Sequence, residues 1–247
     1  MNETERQRAI QLQLSRMIAP RAAHSLPTGF PNLDAALGAG GIARGVITEI
    51  FGPASSGKTA LMLQTIAHGQ CTGSTAAWID AEHAFDPAFA AHLGVDVSRM
   101  PVASPESAEE ALEMARRFAS SGAVDLVAID SAAALVPRLE LETGLGSSGA
   151  GIQSRVLASE LRRLAQVAAR TGTAIVLLNQ TRFRLTAPGE AETSSGGPSI
   201  KLHAAVRLAL AASGRRVRLR IVKNKFAAPF AEAHLEWQRE RGFIEAP

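Results

Sequence analysis

Apolar and polar positions switch between two periods along most of this chain. GVITEIFG (45–52) is a mostly apolar run of strand length, and 58–68 then reads as a helix. The switch recurs: TAAWID (75–80) predicts a strand and 87–93 a short helix, and PVAS (101–104) predicts another strand. Ser104 stands at the expected cap of the next helix, with Pro105 at its first position, and that helix should run to about Ser120. VDLVAID (124–130) predicts a strand, 153–170 a long helix, and TAIVLLNQ (173–180) a further strand. AAVRLAL (204–210) and RVRLRIV (216–222) flank a turn containing Ser213 and Gly214, which predicts a hairpin. Ahead of all this, 2–18 places Ile10, Leu14, Met17 and Ile18 on one helical face before Pro20 interrupts.

Alternating strands and helices imply an α/β fold with a mostly parallel, twisted sheet covered by helices on both faces. The hairpin adds antiparallel strands at one edge. Two stretches resist assignment: 140–151, with Gly144, Gly146, Gly149 and Gly151, and 181–199, rich in Gly, Ser, Thr and Pro. Both follow strands, so both should emerge at the carboxyl edge of the sheet, where such folds bind ligands.

Composition narrows the class. Hydrophobic residues make up 46% of 247, enough for one large core, and with aromatics at 4% and no Tyr that core must be aliphatic. Cys71 is the single cysteine, which excludes an intrachain disulfide and suits a reducing compartment. The charged N-terminus is not a secretory signal, and no apolar run approaches the roughly 18 residues of a membrane span. Net charge is +3, but the basic residues are uneven: 201–225 carries Arg207, Arg215, Arg216, Arg218, Arg220, Lys223 and Lys225 with no acid. Part of this run is a solvated strand face, since VRLRI alternates at strand period.

The chemistry is carried first by GPASSGKT (52–59), which matches the phosphate-loop pattern G-x-x-x-x-G-K-[ST] between an apolar strand and a helix. Its glycines let backbone N–H groups wrap phosphates, and the helix start adds partial positive charge. Lys58 would reach the outer phosphates and the Thr59 hydroxyl would ligate Mg²⁺. Such a metal needs an acid at the tip of a nearby strand, and Asp130 ends VDLVAID. Hydrolysis also needs a base or water-orienting group. WIDAEHAFDP offers Asp80, Glu82, His83 and Asp86, of which Glu82 lies just past a strand at the same sheet edge as the phosphate loop.

Several segments together resemble the RecA recombinase family: TGFPNLDAALGAGG, EIFGPASSGKT, WIDAEHAFDP, SGAVDLVAIDSAAALVP, LLNQTR, the SGG before Lys201, and VKNKFAAPF. They stand in family order and imply a phosphate-loop ATPase core of the RecA type. By that resemblance Gly52, Pro53, Ser55, Ser56, Gly57, Lys58 and Thr59 would hold ATP, with Mg²⁺ on Thr59 and Asp130. Glu82 would activate water, Asp130 and Ser131 would complete the metal and phosphate shell, and Asp86 and Phe89 would meet the adenine side. Gln180 looks like the glutamine that senses the γ-phosphate. The segment 140–151 with Arg155 and Arg162 resembles the first DNA loop and its phosphate-contacting helix. The segment 181–199 resembles the second, with Arg182, Gly196 and Gly197 at matching positions. Lys223 and Lys225 resemble the paired lysines that reach ATP held by a neighbouring subunit, which implies self-association.

The resemblance also has gaps. Pro20 and Arg21 stand where the N-terminal arm should end in phenylalanine, Pro198 and Leu202 replace an expected asparagine and phenylalanine, and Arg239 stands where a nucleotide-contacting tyrosine is expected. The expected layout is an N-terminal helical arm at 1–23 and an ATPase core at 24–247, without the family's C-terminal domain. Two functions follow. One is a DNA-dependent ATPase that binds single-stranded DNA in repair and recombination. The other is an accessory protein of SOS and translesion mutagenesis, of the ImuA type, acting on RecA or a polymerase. Either belongs in the bacterial cytoplasm at the nucleoid.

Overall fold

The computed structural model describes residues 25–143, 149–182, 193–195 and 197–246. The predicted arm at 1–23 lies outside them, as do Gly144, Gly146 and Gly196. Ten strands form one sheet. Its parallel half runs, in spatial order, β9 (Ala204–Ser213), β3 (Ile47–Gly52), β7 (Ala174–Arg182), β6 (Leu126–Asp130), β4 (Ala76–Asp80) and β5 (Val102–Ala103). Beyond β9 the sheet turns antiparallel through β10 (Arg216–Asn224), β11 (Glu232–Gln238) and β12 (Gly242–Glu245). A short strand, β8 (Thr193–Ser194), pairs with the end of β7, and β1 (Ser25–Leu26) pairs separately with β2 (Ile42–Ala43).

Side chains alternate between two apolar cores, one on each face, as the strand period requires. Ile50, Trp78, Val176, Leu208 and Leu219 point to one, against helix α2 (Lys58–Cys71). Ile47, Ile79, Val127, Ile175 and Leu177 point to the other, against α4 (Ala108–Ser120) and α6 (Gly149–Thr171). In β10, Val217, Leu219 and Ile221 are buried while Arg216, Arg218 and Arg220 are exposed, so that part of the basic run is the solvated strand face the alternation predicts. Arg218 and Arg220 lie 3.9 and 3.6 Å from Glu232 on β11.

Some boundaries differ from expectation. Helix α4 is capped by Ser107, whose hydroxyl accepts from Glu110 N–H at 3.3 Å, so Ser104 and Pro105 lie before the helix. Glu110 reaches back to Glu106 N–H at 2.8 Å, a variant of the capping box that outcompetes the Ser104–Pro105 start. Helix α6 begins at Gly149, and a short helix α5 (Arg138–Thr143) precedes it, so the glycine-rich stretch is partly helical. The remaining helices are α1 (Pro31–Leu37), α3 (Pro87–His92) and α7 (Gly197–His203). No helix among the described residues is long and apolar enough to cross a membrane.

Candidate functional site

The loop 53–57 leaves the carboxyl end of β3 and enters α2. Two glycines have steric reasons to be there. A Cβ on Gly52 would meet the Leu210 carbonyl oxygen at 2.5 Å, and Gly57 has φ +91° with the Phe243 ring 2.4 Å from where its Cβ would stand. Ser56 and Lys58 are buried at the helix start. Lys58 Nζ donates to the carbonyls of Gly52 (3.1 Å) and Pro53 (2.7 Å) and to Ser56 Oγ (3.4 Å). Burial pushes the Lys58 ammonium below its ordinary pKa, against the opposing pull of Asp130 and Glu82.

The Thr59 hydroxyl donates to Asp130 Oδ2 at 2.7 Å, which joins the start of α2 to the tip of β6. Burial, with Glu82 nearby, raises the Asp130 carboxyl to about 6, while the Thr59 hydrogen bond pulls it back. Glu82 sits one step further along this edge. Its Oε1 accepts from Gln180 Nε2 at 2.9 Å and from the Ser131 hydroxyl. Glu82, Ser131 and Gln180 come from the ends of β4, β6 and β7, adjacent strands of the parallel half.

Asp80 holds the turn that presents Glu82, a role composition does not reveal. Its carboxylate accepts from Ala84 N–H (3.1 Å) and Phe85 N–H (2.9 Å). No three His, Cys, Asp or Glu gather to hold a metal among the described residues, so the acidic segment is not a cluster of that kind. Asp86 caps α3, accepting from Ala88 and Phe89 N–H at 2.8 and 3.1 Å. Phe89, Trp237 and Phe243 form an apolar wall beside Ser55, Gly57 and Thr59. Gln64 fastens that wall, donating to the Arg241 and Phe243 carbonyls at 3.2 and 3.1 Å and accepting from Phe243 N–H at 2.7 Å. β11 and β12 carry Trp237 and Phe243, and their short, interrupted sequence hides them from a periodicity reading.

Lys223 and Lys225 stand apart from this edge. β10 runs antiparallel to β9, so it heads away from the carboxyl edge, with Lys223 paired to Arg207, level with Glu49 midway along β3. Lys225 N–H bonds Ala205, level with the start of β3, roughly 15 Å along the strands from the phosphate loop. Lys223 Nζ donates to the Lys201 and Leu202 carbonyls (2.7 and 3.3 Å) at the end of α7. Burial, then the charges of Lys225 and Arg207, lowers the Lys223 pKa. Burial and the charges of Arg162, Lys223 and Lys225 lower that of His203, so these cations share one neighbourhood. Arg155 and Arg162 are exposed on α6, and Gly197 opens α7 with φ +71°. The side chain of Arg182, Gly196, and most of 181–199 lie outside the described residues.

The sequence profile of the RecA N-terminal domain matches residues 10–244. The chain belongs to the RecA family. It is 45% identical over 229 residues to the RecA protein of Thermus aquaticus, and 46% to that of a Thermus thermophilus strain. It is 42% identical over 229 residues to that of Herpetosiphon aurantiacus. These matches cover 88% of this chain and 64 to 67% of the relatives, so it spans about two thirds of a RecA protein's length.

Proposed function

We propose that this RecA-family chain binds ATP with Mg²⁺ and hydrolyses it in response to single-stranded DNA, acting in DNA repair and recombination. The observation that carries the reading is the meeting of Glu82, Ser131 and Gln180 beside the Thr59–Asp130 pair. The residues present fit the nucleotide. Gly52 and Gly57 leave no room for a Cβ, the loop opens at a helix start, and an apolar wall adjoins it. Thr59 Oγ1 and Asp130 are the oxygen donors for Mg²⁺, which when bound neutralises charge on the phosphates.

Lys58 would exchange its loop carbonyls for phosphate oxygens. Glu82 is the carboxylate placed to take a proton from the attacking water, and Ser131 and Gln180 orient it. Gln180 lies at the end of β7, so it is the natural reporter between nucleotide and the segment that follows. Phe89 flanks the base side, and Asp86 contributes by capping the helix that carries it. Arg155, Arg162 and Arg182 are the cations for DNA phosphates, with Gly196 and Gly197 at the end of the second loop.

Lys223 and Lys225 lie two strands from β3 and back along β10 from the phosphate loop of their own chain, with Lys223 Nζ held by the Lys201 and Leu202 carbonyls. They therefore serve a neighbouring copy, and turnover requires self-association.

The test is ATP hydrolysis with and without long single-stranded DNA at low and at moderate salt. Stimulation that falls steeply with salt supports the reading. Nucleotide binding without stimulation overturns it and favours an accessory module that works through protein partners, RecA or a polymerase.

A further inference from the structure

A buried polar cluster lies beside the site and takes no part in the chemistry described above. Glu49 on β3, Asn179 on β7 and Arg207 on β9 occupy adjacent strands and share one face, with Glu49 in register with Arg207 and Phe51 with Asn179. Glu49 and Asn179 have no exposed surface. A buried carboxylate persists only when it is paired and hydrogen-bonded. Glu49 accepts from Arg207 Nε at 2.5 Å and from Asn179 Nδ2 at 2.8 Å, and the Arg207 guanidinium lies 4.6 Å from the centre of the Phe51 ring.

The cluster holds two backbone segments together. Asn179 Oδ1 accepts from Gln180 N–H at 2.9 Å, and Asn179 Nδ2 also donates to the Ser195 carbonyl at 2.9 Å. Ser195 N–H donates to the Gln180 carbonyl at 2.9 Å, and Arg207 Nη2 donates to Ser194 Oγ at 3.2 Å. The chain leaves β7 past Arg182 and returns at Thr193; Asn179 and Arg207 hold the backbone on both sides of that excursion, and Glu49 holds Asn179 and Arg207. An apolar trio would fill this face without fixing either segment. What the polar trio adds is position.

We propose that Glu49, Asn179 and Arg207 are positioning residues that tie Gln180, and through it Glu82, to the returning backbone at Ser194–Ser195. Single-stranded DNA and nucleotide then strengthen each other's binding through this cluster. The inference rests on the ATP and single-stranded DNA reading above.

The experiment measures affinity of the full chain for a non-hydrolysable ATP analogue, with and without a long polythymidine strand. The ratio of the two affinities is the coupling. Ser194→Ala removes only the outer contact of Arg207. Glu49→Gln with Arg207→Met removes the ion pair without leaving a buried charge unpaired. Both variants should keep the DNA-free affinity within about twofold, while the ratio falls about threefold for Ser194→Ala and about fivefold or more for the double variant. If the double variant shows no cooperative unfolding transition, Ser194→Ala decides alone. Variants with the wild-type ratio overturn the proposal, as does an equal loss of affinity with and without DNA, which marks a merely structural role. A wild-type ratio of one overturns the underlying DNA reading, and the proposal with it.

Discussion

Gln180 donates its side-chain amide to Glu82 at 2.9 Å across a separation of 98 residues. Ser131 donates to the same carboxylate oxygen. Glutamine in place of Glu82 can still accept both bonds but cannot take a proton. Glu82→Gln should therefore unfold within about 1 kcal/mol of the parent and lose about 10²- to 10⁴-fold in ATP turnover. Denaturant unfolding and steady-state hydrolysis, measured together, check both halves.

Asp130 supplies a pH prediction. Burial lifts its carboxyl from 3.8 to about 6 in the folded chain, so the folded state holds this proton more tightly than the unfolded state. Its favourable contribution is complete below pH 4 and is lost as pH rises through about 6. Asp130→Asn should accordingly stabilise the metal-free protein by about 3 kcal/mol at pH 7.5 and change little at pH 4. The same variant should lose Mg²⁺-dependent turnover. Urea unfolding in chelator at the two pH values is the measurement.

Lys223→Ala with Lys225→Ala should abolish ATP turnover while nucleotide affinity stays within about twofold, because the pair is proposed to act on phosphates held by a neighbouring copy. Loss of the Lys223 contact to the end of α7 should cost about 1 kcal/mol. Mixing this variant with a Glu82→Gln chain offers a complementation test. Turnover should return, since a mixed interface pairs one intact loop with intact lysines.

Gly57→Ala should impair nucleotide binding and destabilise the fold by about 1–3 kcal/mol. The residue has φ +91°, and a methyl there meets the Phe243 ring. Trimming the ring in Gly57→Ala with Phe243→Leu relieves the contact but not the backbone strain, so rescue should be partial. Thermal unfolding and analogue binding distinguish the two.

Local contiguity decides which parts of this molecule are readable in one dimension. The phosphate loop, its strand and its helix are continuous from 47 to 71, and each carries its own signal: an apolar run, two glycines, a lysine and a helical repeat. Glu82 and Asp130 are readable for a related reason, since each lies at or just past the tip of an apolar strand. Where two local signals compete, the reading slips. Ser104–Pro105 and Ser107 with Glu110 both look like helix starts, and the bond from Glu110 N–H to the Ser107 hydroxyl selects the second.

The sequence by itself determines the α/β class, the order of the parallel strands along the chain, the phosphate loop and the family, because these rest on periods and motifs within a few residues of one another. Only the tertiary structure decides that β7, β6 and β4 are neighbours, and hence that Gln180, Ser131 and Glu82 meet. It alone sets Lys223 and Lys225 back along β10 from the phosphate loop, since that follows from the antiparallel return of β10. It alone buries Glu49 against Arg207 and Asn179. Such contacts join residues more than 100 positions apart, and their energy depends on strand order and register.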